Sequence, residues 1–451
     1  TLSDNATLAT TDSTISFATA INGENNLTIN SGTGAVSLAT IGTTTPLGNL
    51  AVTGGTVNLG GTVTLADTKT LTVTNSGLWT IEAVTITAPG SITQNGAGLT
   101  ELTGNVTLDT SSGAINFATE INGAYDLVIA AEAGAVDLGG LGSTTALGNV
   151  TVTSGTVDLG GDVTLAASKI LTITNGNTWF VDSSTITAPG GIVQDGAGTT
   201  QLGTSLVTFA TTDSAITFAT DIHEPIAVAF SAGTGAVTLA GMGDAAAVGD
   251  VTVTAGAVNV QGDVTLAASK SMTVTNSGLL TIGSSAVTIT APAGFTQDGS
   301  GLTTLTGATT ISTTDSAVSF ATAINGEVDL TVTAGTGSAT FATAGGTTAL
   351  GNVAITSGAL TFGGAITLAD TKTLTVTNSG VWTIPASTVT APGGITQNGA
   401  GGVTLSGNTT LATTDSAVSF ATAVNGGYDL TVSAGTGAIA FEGIGATTNL
   451  G

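Results

Sequence analysis

The chain of 451 residues has no cysteine and a single histidine. Disulfides, thiol nucleophiles, iron–sulfur clusters and Cys/His zinc sites are therefore excluded. Its basic residues number four, all lysine, against 29 Asp and Glu, for a formal net charge of −25. A chain this acidic and without arginine has little to neutralise phosphates with, so nucleic acid is excluded as a partner. An anionic membrane surface repels it for the same reason. Arginine clamps for carboxylate or phosphate substrates are missing too. Charged residues make up 7% and aromatics 4% of the chain, where about 25% charged is usual. Apolar residues come in short runs broken by Thr, Gly or Asn. None approaches the roughly 18 consecutive apolar positions of a membrane helix. Thr1-Leu2-Ser3-Asp4 reads neither as an initiator Met nor as a signal peptide, and the expectation is a mature product or a segment of a longer chain.

What is abundant is glycine, 66 residues, and threonine, 95 residues. They are laid out in repeats. The four lysines stand at 69, 169, 270 and 372, so their steps are 100, 101 and 102. Phe17, Phe117, Phe218, Phe320 and Phe420 follow the same steps in a Phe-Ala-Thr motif, as do Gly48, Gly148, Gly249, Gly351 and Gly451. Pro89, Pro189, Pro292 and Pro392 recur in Ala-Pro, and Trp79, Trp179 and Trp382 share one register. The repeats run approximately over 6–105, 106–206, 207–308, 309–408 and, in part, 409–451. Each divides into five segments of roughly 16 to 23 residues, read here as one coil apiece.

Within segments the alternation has period two. In Thr70-Leu71-Thr72-Val73-Thr74, Leu71 and Val73 face one way and the threonines the other. Alternating β-branched residues bounded by Gly-Gly, Asn-Gly and Ser-Gly pairs predict short strands with one buried face. No stretch carries helical periodicity. Two architectures take such strands: a parallel β-solenoid, or a string of immunoglobulin-like sandwiches of about 100 residues each. Very short strands, few aromatics and no polar linkers favour the solenoid. The expectation is an all-β, single continuous β-solenoid over residues 1–451, with about 22 coils of about 20 residues. At about 4.8 Å per coil that is a rod on the order of 100 Å long.

Leu-Gly-Asn-Val-Thr-Val-Thr-Ser-Gly-Thr-Val-Asp-Leu-Gly-Gly at 147–161 and Ala-Leu-Gly-Asn-Val-Ala-Ile-Thr-Ser-Gly-Ala-Leu at 349–360 resemble filamentous-haemagglutinin-type repeats. Such repeats occur in large secreted surface proteins and adhesins of Gram-negative bacteria. The resemblance covers essentially the whole chain. It implies a right-handed parallel β-helix, export to the cell surface, and fibre-forming or adhesive roles. The N-terminal secretion domain of that group has no counterpart in these residues.

Candidate functional residues are few. Lys69, Lys169, Lys270 and Lys372 are read as contacts that tie neighbouring coils or neighbouring subunits through a carboxylate, against the alternative of solvated turn charges worth about 0–1 kcal/mol. Asp12, Asp213, Asp315 and Asp415 recur in Thr-Thr-Asp-Ser. They suit Asx-turn capping better than calcium, for which the motif offers no Asp-x-Asp run. His223 replaces a turn residue of the sister repeats. The Phe and Trp sets read as interior or turn-covering packing. Thr-x-Thr strands on stacked coils would form hydroxyl-and-methyl faces, as in ice-binding solenoids, but the motif skips coils. An active site occurs once, whereas every polar motif here recurs, so no catalytic residue and no cofactor is assigned. The expected function is structural: an extracellular surface fibre, sheath or filament whose partner is itself, end to end and laterally. An adhesin stalk is the alternative, and an ice-binding solenoid the less favoured one. Neither terminal region has a charged or helical capping segment, so the chain is expected to continue or copies to stack.

Overall fold

The computed structural model describes residues 1–82, 84–182 and 184–451. Among them there is no helix, and every recorded strand pairing is parallel. The fold is a β-solenoid of about 21 turns. Contacts divide the chain into two compact units, Thr1–Ile222 and His223–Gly451.

In the first unit each turn has three sides. Leu27–Asn30, Leu50–Gly54, Thr70–Asn75, Ser91–Gln94 and Ala114–Phe117 stack on side one. Ala35–Leu38, Thr56–Leu59, Trp79–Ile81 and Thr100–Leu102 stack on side two. Thr85–Thr87, Val106–Asp109, Leu127–Ala130, Val150–Ser154 and Ile170–Asn175 stack on side three. Residues in register, such as Leu27, Leu50, Leu71 and Ile92, are 23, 21 and 21 apart. Alternation does the sorting. In Thr70–Asn75 the burial pattern alternates strictly, with Leu71 and Val73 at 0% exposure between half-buried threonines.

The hundred-residue repeat is not a whole number of turns. From Ala6 to its equivalent Val106 the chain passes fourteen sides, and 14/3 is four and two-thirds. Ala6–Ala9 therefore lies on side one, Val106–Asp109 on side three and the next equivalent, Val207–Ala210, on side two. The expectation of five coils per repeat is corrected: each repeat falls a third of a turn short of five, which shifts it to a new side. The second unit behaves alike. Thr309–Ser312 pairs with Leu330–Thr333, whereas Thr409–Ala412 stacks on Thr388–Thr390 in a different column.

The narrow interior brings aromatic side chains together, across it between different sides in the first unit and in register within one column in the second. Trp79 lies flat on Phe117 with ring centroids 5.4 Å apart, and Trp179 on Phe218 at 5.8 Å. In the second unit Phe320, Phe341 and Phe362 stack successively at 5.8 and 5.0 Å. Trp79, Trp179 and Trp382 are fully buried, as interior packing requires.

The interior also holds a polar element, once per repeat. Gln94 donates from Nε2 to Asn75 Oδ1 at 2.7 Å and to the carbonyls of Gly96 and Gly98 at 2.9 and 3.1 Å. Gln194 with Asn175, Gln297 with Asn276 and Gln397 with Asn378 repeat the arrangement. All eight side chains are at most 1% exposed. The Gln-x-Gly-x-Gly spacing follows from geometry: a Cβ on Gly98 would sit 1.6 Å from the Gly77 carbonyl oxygen of the turn below. The amides satisfy corner carbonyls that the strands leave unpaired, and a buried carbonyl without a donor is costly. Replacing Gln194 by Met keeps the volume and removes the donor. The expected loss is about 2–4 kcal/mol, read as a lower guanidinium midpoint with Trp179 fluorescence as the local probe. An unchanged midpoint would remove the amide pair from the list of stabilising elements.

Candidate functional site

The lysines sit at a corner, one residue before a stacked strand, where short polar side chains form a ladder. In the first repeat Asn5, Asn26 and Asn49 each accept the backbone N–H of the turn above through Oδ1, from Asn26, Asn49 and Thr70, at 2.9, 2.8 and 2.9 Å. In the second repeat Asp126 replaces Asn26, and Lys169 reaches two turns down to its Oδ1 at 3.1 Å. In the fourth, Lys372 meets Asp329 at 3.7 Å in the same way. In the third the carboxylate has moved up one rung, to Asp250, and Lys270 meets it at 3.1 Å. Lys69 stands above Asn26 and Asn49, and no carboxylate occupies its ladder. Three of the four lysines thus bridge turns of one chain. These pairs are about one-third to one-half exposed, so each contributes about 0–1 kcal/mol.

The Thr-Thr-Asp-Ser aspartates do related work between turns. Asp12 Oδ1 accepts the Thr33 backbone N–H at 2.8 Å and its hydroxyl at 2.9 Å. Asp315 and Asp415 accept Thr336 and Thr436 N–H at 2.7 and 2.8 Å. Asp12, Asp213, Asp315 and Asp415 have φ of +59°, +55°, +54° and +51°, the left-handed turn conformation that Asp tolerates. No group of three or more Asp, Glu or His among the described residues is arranged to hold a metal ion. His223 is a buried strand residue rather than a turn residue. It occupies the position of Asn122 and Asn325, which cap loop N–H groups at 3.0 and 2.8 Å. Glu224 follows with φ of +102°, where Gly123 and Gly326 stand in the sister repeats.

Two features escaped sequence reading. The first is a hollow at each Ala-Pro corner. Asp67, Thr68, Pro89 and Ser112 line one of about 580 Å³, and Ser168, Pro189 and Ser214 another of about 420 Å³. The second unit carries hollows at Ser269, Pro292 and Ser316 and at Thr371, Pro392 and Ser416. Their linings are hydroxyls, proline rings and backbone, with a single carboxylate, Asp67 or Asp370, at two of the four. The recurrent Ala-Pro motif was the available signal.

The second is the placement of the threonines. On side one of the first unit Thr53 and Thr74 are in register, as are Ala51, Thr72 and Thr93. The equivalents Thr151/Thr172 and Thr153/Thr174 lie on side three. In the second unit Thr252/Thr273 and Thr254/Thr275 form one such patch, and Thr356/Thr377 with Thr375/Thr396 another, in separate columns. Each patch closes on a hydroxyl donated at 2.6 Å: Thr74 to Asn95, Thr174 to Asp195, Thr275 to Asp298 and Thr377 to Asn398. Comparison with protein-family models, curated proteins and solved structures returns no match.

Titration follows from these contacts. Backbone and hydroxyl hydrogen bonds from Thr33, Thr336 and Thr436 hold Asp12, Asp315 and Asp415 below the ordinary carboxylate value of 3.8. Burial alone would raise Asp126 and Asp250, but hydrogen bonds from Asn149 and Ser271 and the lysine charges outweigh it, and both are lowered. Asp329 is lowered first by the Asn352 N–H, with Lys372 adding to it. Asp158 goes the other way. Burial, then the charges of Asp137 directly below it in register and of Asp182, push it up. A lowered folded pKa stabilises above 3.8, and that stability is lost as pH falls through the folded value. A raised one makes the ionised group a burden once pH exceeds its folded value. Asp158→Asn is therefore expected to raise the thermal midpoint at neutral pH, by less than about 1 kcal/mol for a partly exposed charge. The gain should vanish below pH 3.8, where the wild type itself begins to lose the six lowered carboxylates. Melting curves from neutral to acid pH check both, and an equal gain at both ends would contradict the assignment.

Proposed function

We propose that the protein is a structural element of a cell exterior, a solenoid that builds a surface fibre, sheath or filament from copies of itself, as filamentous-haemagglutinin-like repeats suggest. One observation carries this reading. The polar groups with chemical potential recur from repeat to repeat, and each recurrent set is engaged in holding one turn to the next. Three of the four lysines meet ladder carboxylates, the Thr-Thr-Asp-Ser aspartates cap backbone N–H groups, and the amides satisfy corner carbonyls. Enzymes concentrate such groups once, around a cleft.

Two further points support it. Every turn presents the next with the same in-register row of N–H and C=O groups, so a turn from another copy fits as well as one from the same chain. The threonine faces change side from repeat to repeat, whereas an ice plane needs Thr-x-Thr on one side throughout. Electron microscopy with sedimentation velocity tests the proposal. Filaments many chains long are expected, growing with protein concentration. Particles that stay monomeric at every concentration would sink it.

A further inference from the structure

An asparagine followed by glycine can close a ring on itself, the glycine nitrogen attacking the side-chain amide, because glycine puts no side chain in the way. The chain has seven such pairs, at Asn22, Asn95, Asn122, Asn175, Asn325, Asn398 and Asn425. The fold treats them unequally. Gly23, Gly123, Gly326 and Gly426 donate their N–H to the carbonyls of Thr45, Thr145, Thr348 and Thr448 at 3.3, 3.1, 3.3 and 3.4 Å, and Gly176 donates to Ser154 at 2.9 Å. Gly96 and Gly399 make no such bond among the described residues. Asn95 and Asn398 are exposed to water, whereas Asn122, Asn175 and Asn325 are buried. The amide oxygens of the two exposed residues accept hydroxyls, from Thr74 and Thr377, each at 2.6 Å. The second and third repeats already hold the acid at this rung: Asp195 and Asp298 accept the Thr174 and Thr275 hydroxyls at the same 2.6 Å. The glycine cannot be exchanged, since a Cβ on Gly96 or Gly399 would strike the Asn75 or Asn378 carbonyl oxygen of the turn below.

We infer that Asn95 and Asn398 are sites of spontaneous deamidation in the folded chain, with water as the only co-reactant. The inference goes beyond the structural reading and holds whether or not copies assemble. The Gly96 nitrogen attacks Cγ of Asn95, and a bond forms between them. The charge that gathers on Oδ1 is steadied by the Thr74 hydroxyl. The bond from Cγ to Nδ2 then breaks, and Nδ2 leaves as ammonia with the proton of the Gly96 N–H. Water opens the ring at Cγ, the proton returns to the Gly96 nitrogen, and a carboxylate remains. Asn398, Gly399 and Thr377 are arranged alike. The loop also directs which way the ring opens. Asn95 N–H is tied to the Val73 carbonyl at 3.1 Å and Gly98 N–H to the Asn75 carbonyl at 2.9 Å. Isoaspartate would insert an extra carbon into the main chain between these two anchors, whereas Asp needs no more room than Asp195 already takes. Each event adds one negative charge, so conversion of both takes the formal net charge from −25 to −27. The first and fourth repeats thereby come to match the second and third.

The test incubates the full folded chain at mildly alkaline pH and follows all seven sites by mass spectrometry of proteolytic fragments. The readout is the mass gained when an amide becomes a carboxyl, with fragmentation distinguishing Asp from isoaspartate and anion exchange counting the added charges. Asn95 and Asn398 are expected to convert at least about tenfold faster than any of the other five, a barrier difference of about 1.4 kcal/mol, and to give Asp in excess. In urea the seven rates should converge and isoaspartate should rise, because the hydrogen bonds that separate the sites are gone. Thr74→Val should slow Asn95 by about threefold or more while Asn398 in the same molecule keeps its rate, and Thr74→Ser should restore it. Asn95→Asp should leave the thermal midpoint unchanged, as Asp195 implies. Equal rates at all seven sites in the folded chain, or faster reaction at Asn122, Asn175 or Asn325, would overturn the inference without touching the filament reading, which microscopy decides separately. An Asn95 rate unchanged in folded Thr74→Val would overturn the part assigned to the hydroxyl. Should Thr74→Val fail to fold, the wild-type comparison of seven sites still decides the matter.

Discussion

Backbone pairing between turns is the constraint from which the rest follows. A parallel ladder closes only if each turn delivers strands of matching length at matching height, with donors facing acceptors. In this chain that fixes an advance of about 21 residues per turn, seen in the runs Leu27, Leu50, Leu71 and Ile92. Once the register holds, each inward position lies above another of its kind. Leucines stack on leucines and rings on rings, and the interior becomes a set of columns. The same register forces corners to coincide. Their carbonyls then need donors that no strand supplies, and Asn75 with Gln94 and its equivalents provide them from inside.

Those corners explain why so much polar chemistry is local. Asn26, Asn49, Asp126 and Asp12 all accept an N–H from the turn above. The carboxylate stands on the Asp126 rung in the second repeat and on the Asp250 rung in the third, and the lysine meets it in both, so the ladder tolerates exchange of rungs. A partly exposed ion pair contributes little energy.

Much of the fold was legible from residues alone. Alternation in Thr70–Asn75, glycine pairs at turns and the absence of helical periodicity specify stacked short strands. The recurrence of Lys69 at 169, 270 and 372 specifies tandem units. The relation between the two periods was not legible. Both numbers, about 100 and about 21, can be read from the sequence, but the length of a turn is settled by which strand pairs with which, and pairing is long-range. Dividing each repeat into five coils assumed that homology and stacking share a period. They differ by a third of a turn, because fourteen sides is not a multiple of three. The buried amides were missed for another reason. Asn and Gln beside glycine read as turn residues, and only the stacked turn below makes Gly98 obligatory and Gln94 interior. Lys69 and its equivalents were visible, whereas their partners, 43 or 20 residues away in sequence, were not.

The mismatch of periods has a consequence for what such a molecule can do. Had the repeat been a whole number of turns, every threonine patch would lie on one side and every lysine corner on one edge. A one-sided surface suits a planar ligand or a closed pair. A repeat one third of a turn short of five puts the same features on different sides within each unit, with a rise of about 22 Å from one to the next, since four and two-thirds turns are stacked at about 4.8 Å. Successive repeats then meet their surroundings in different directions without any change in their own sequence. Directional variety, which globular proteins obtain by evolving distinct surfaces, arises here from the arithmetic of one repeat wound on a three-sided coil.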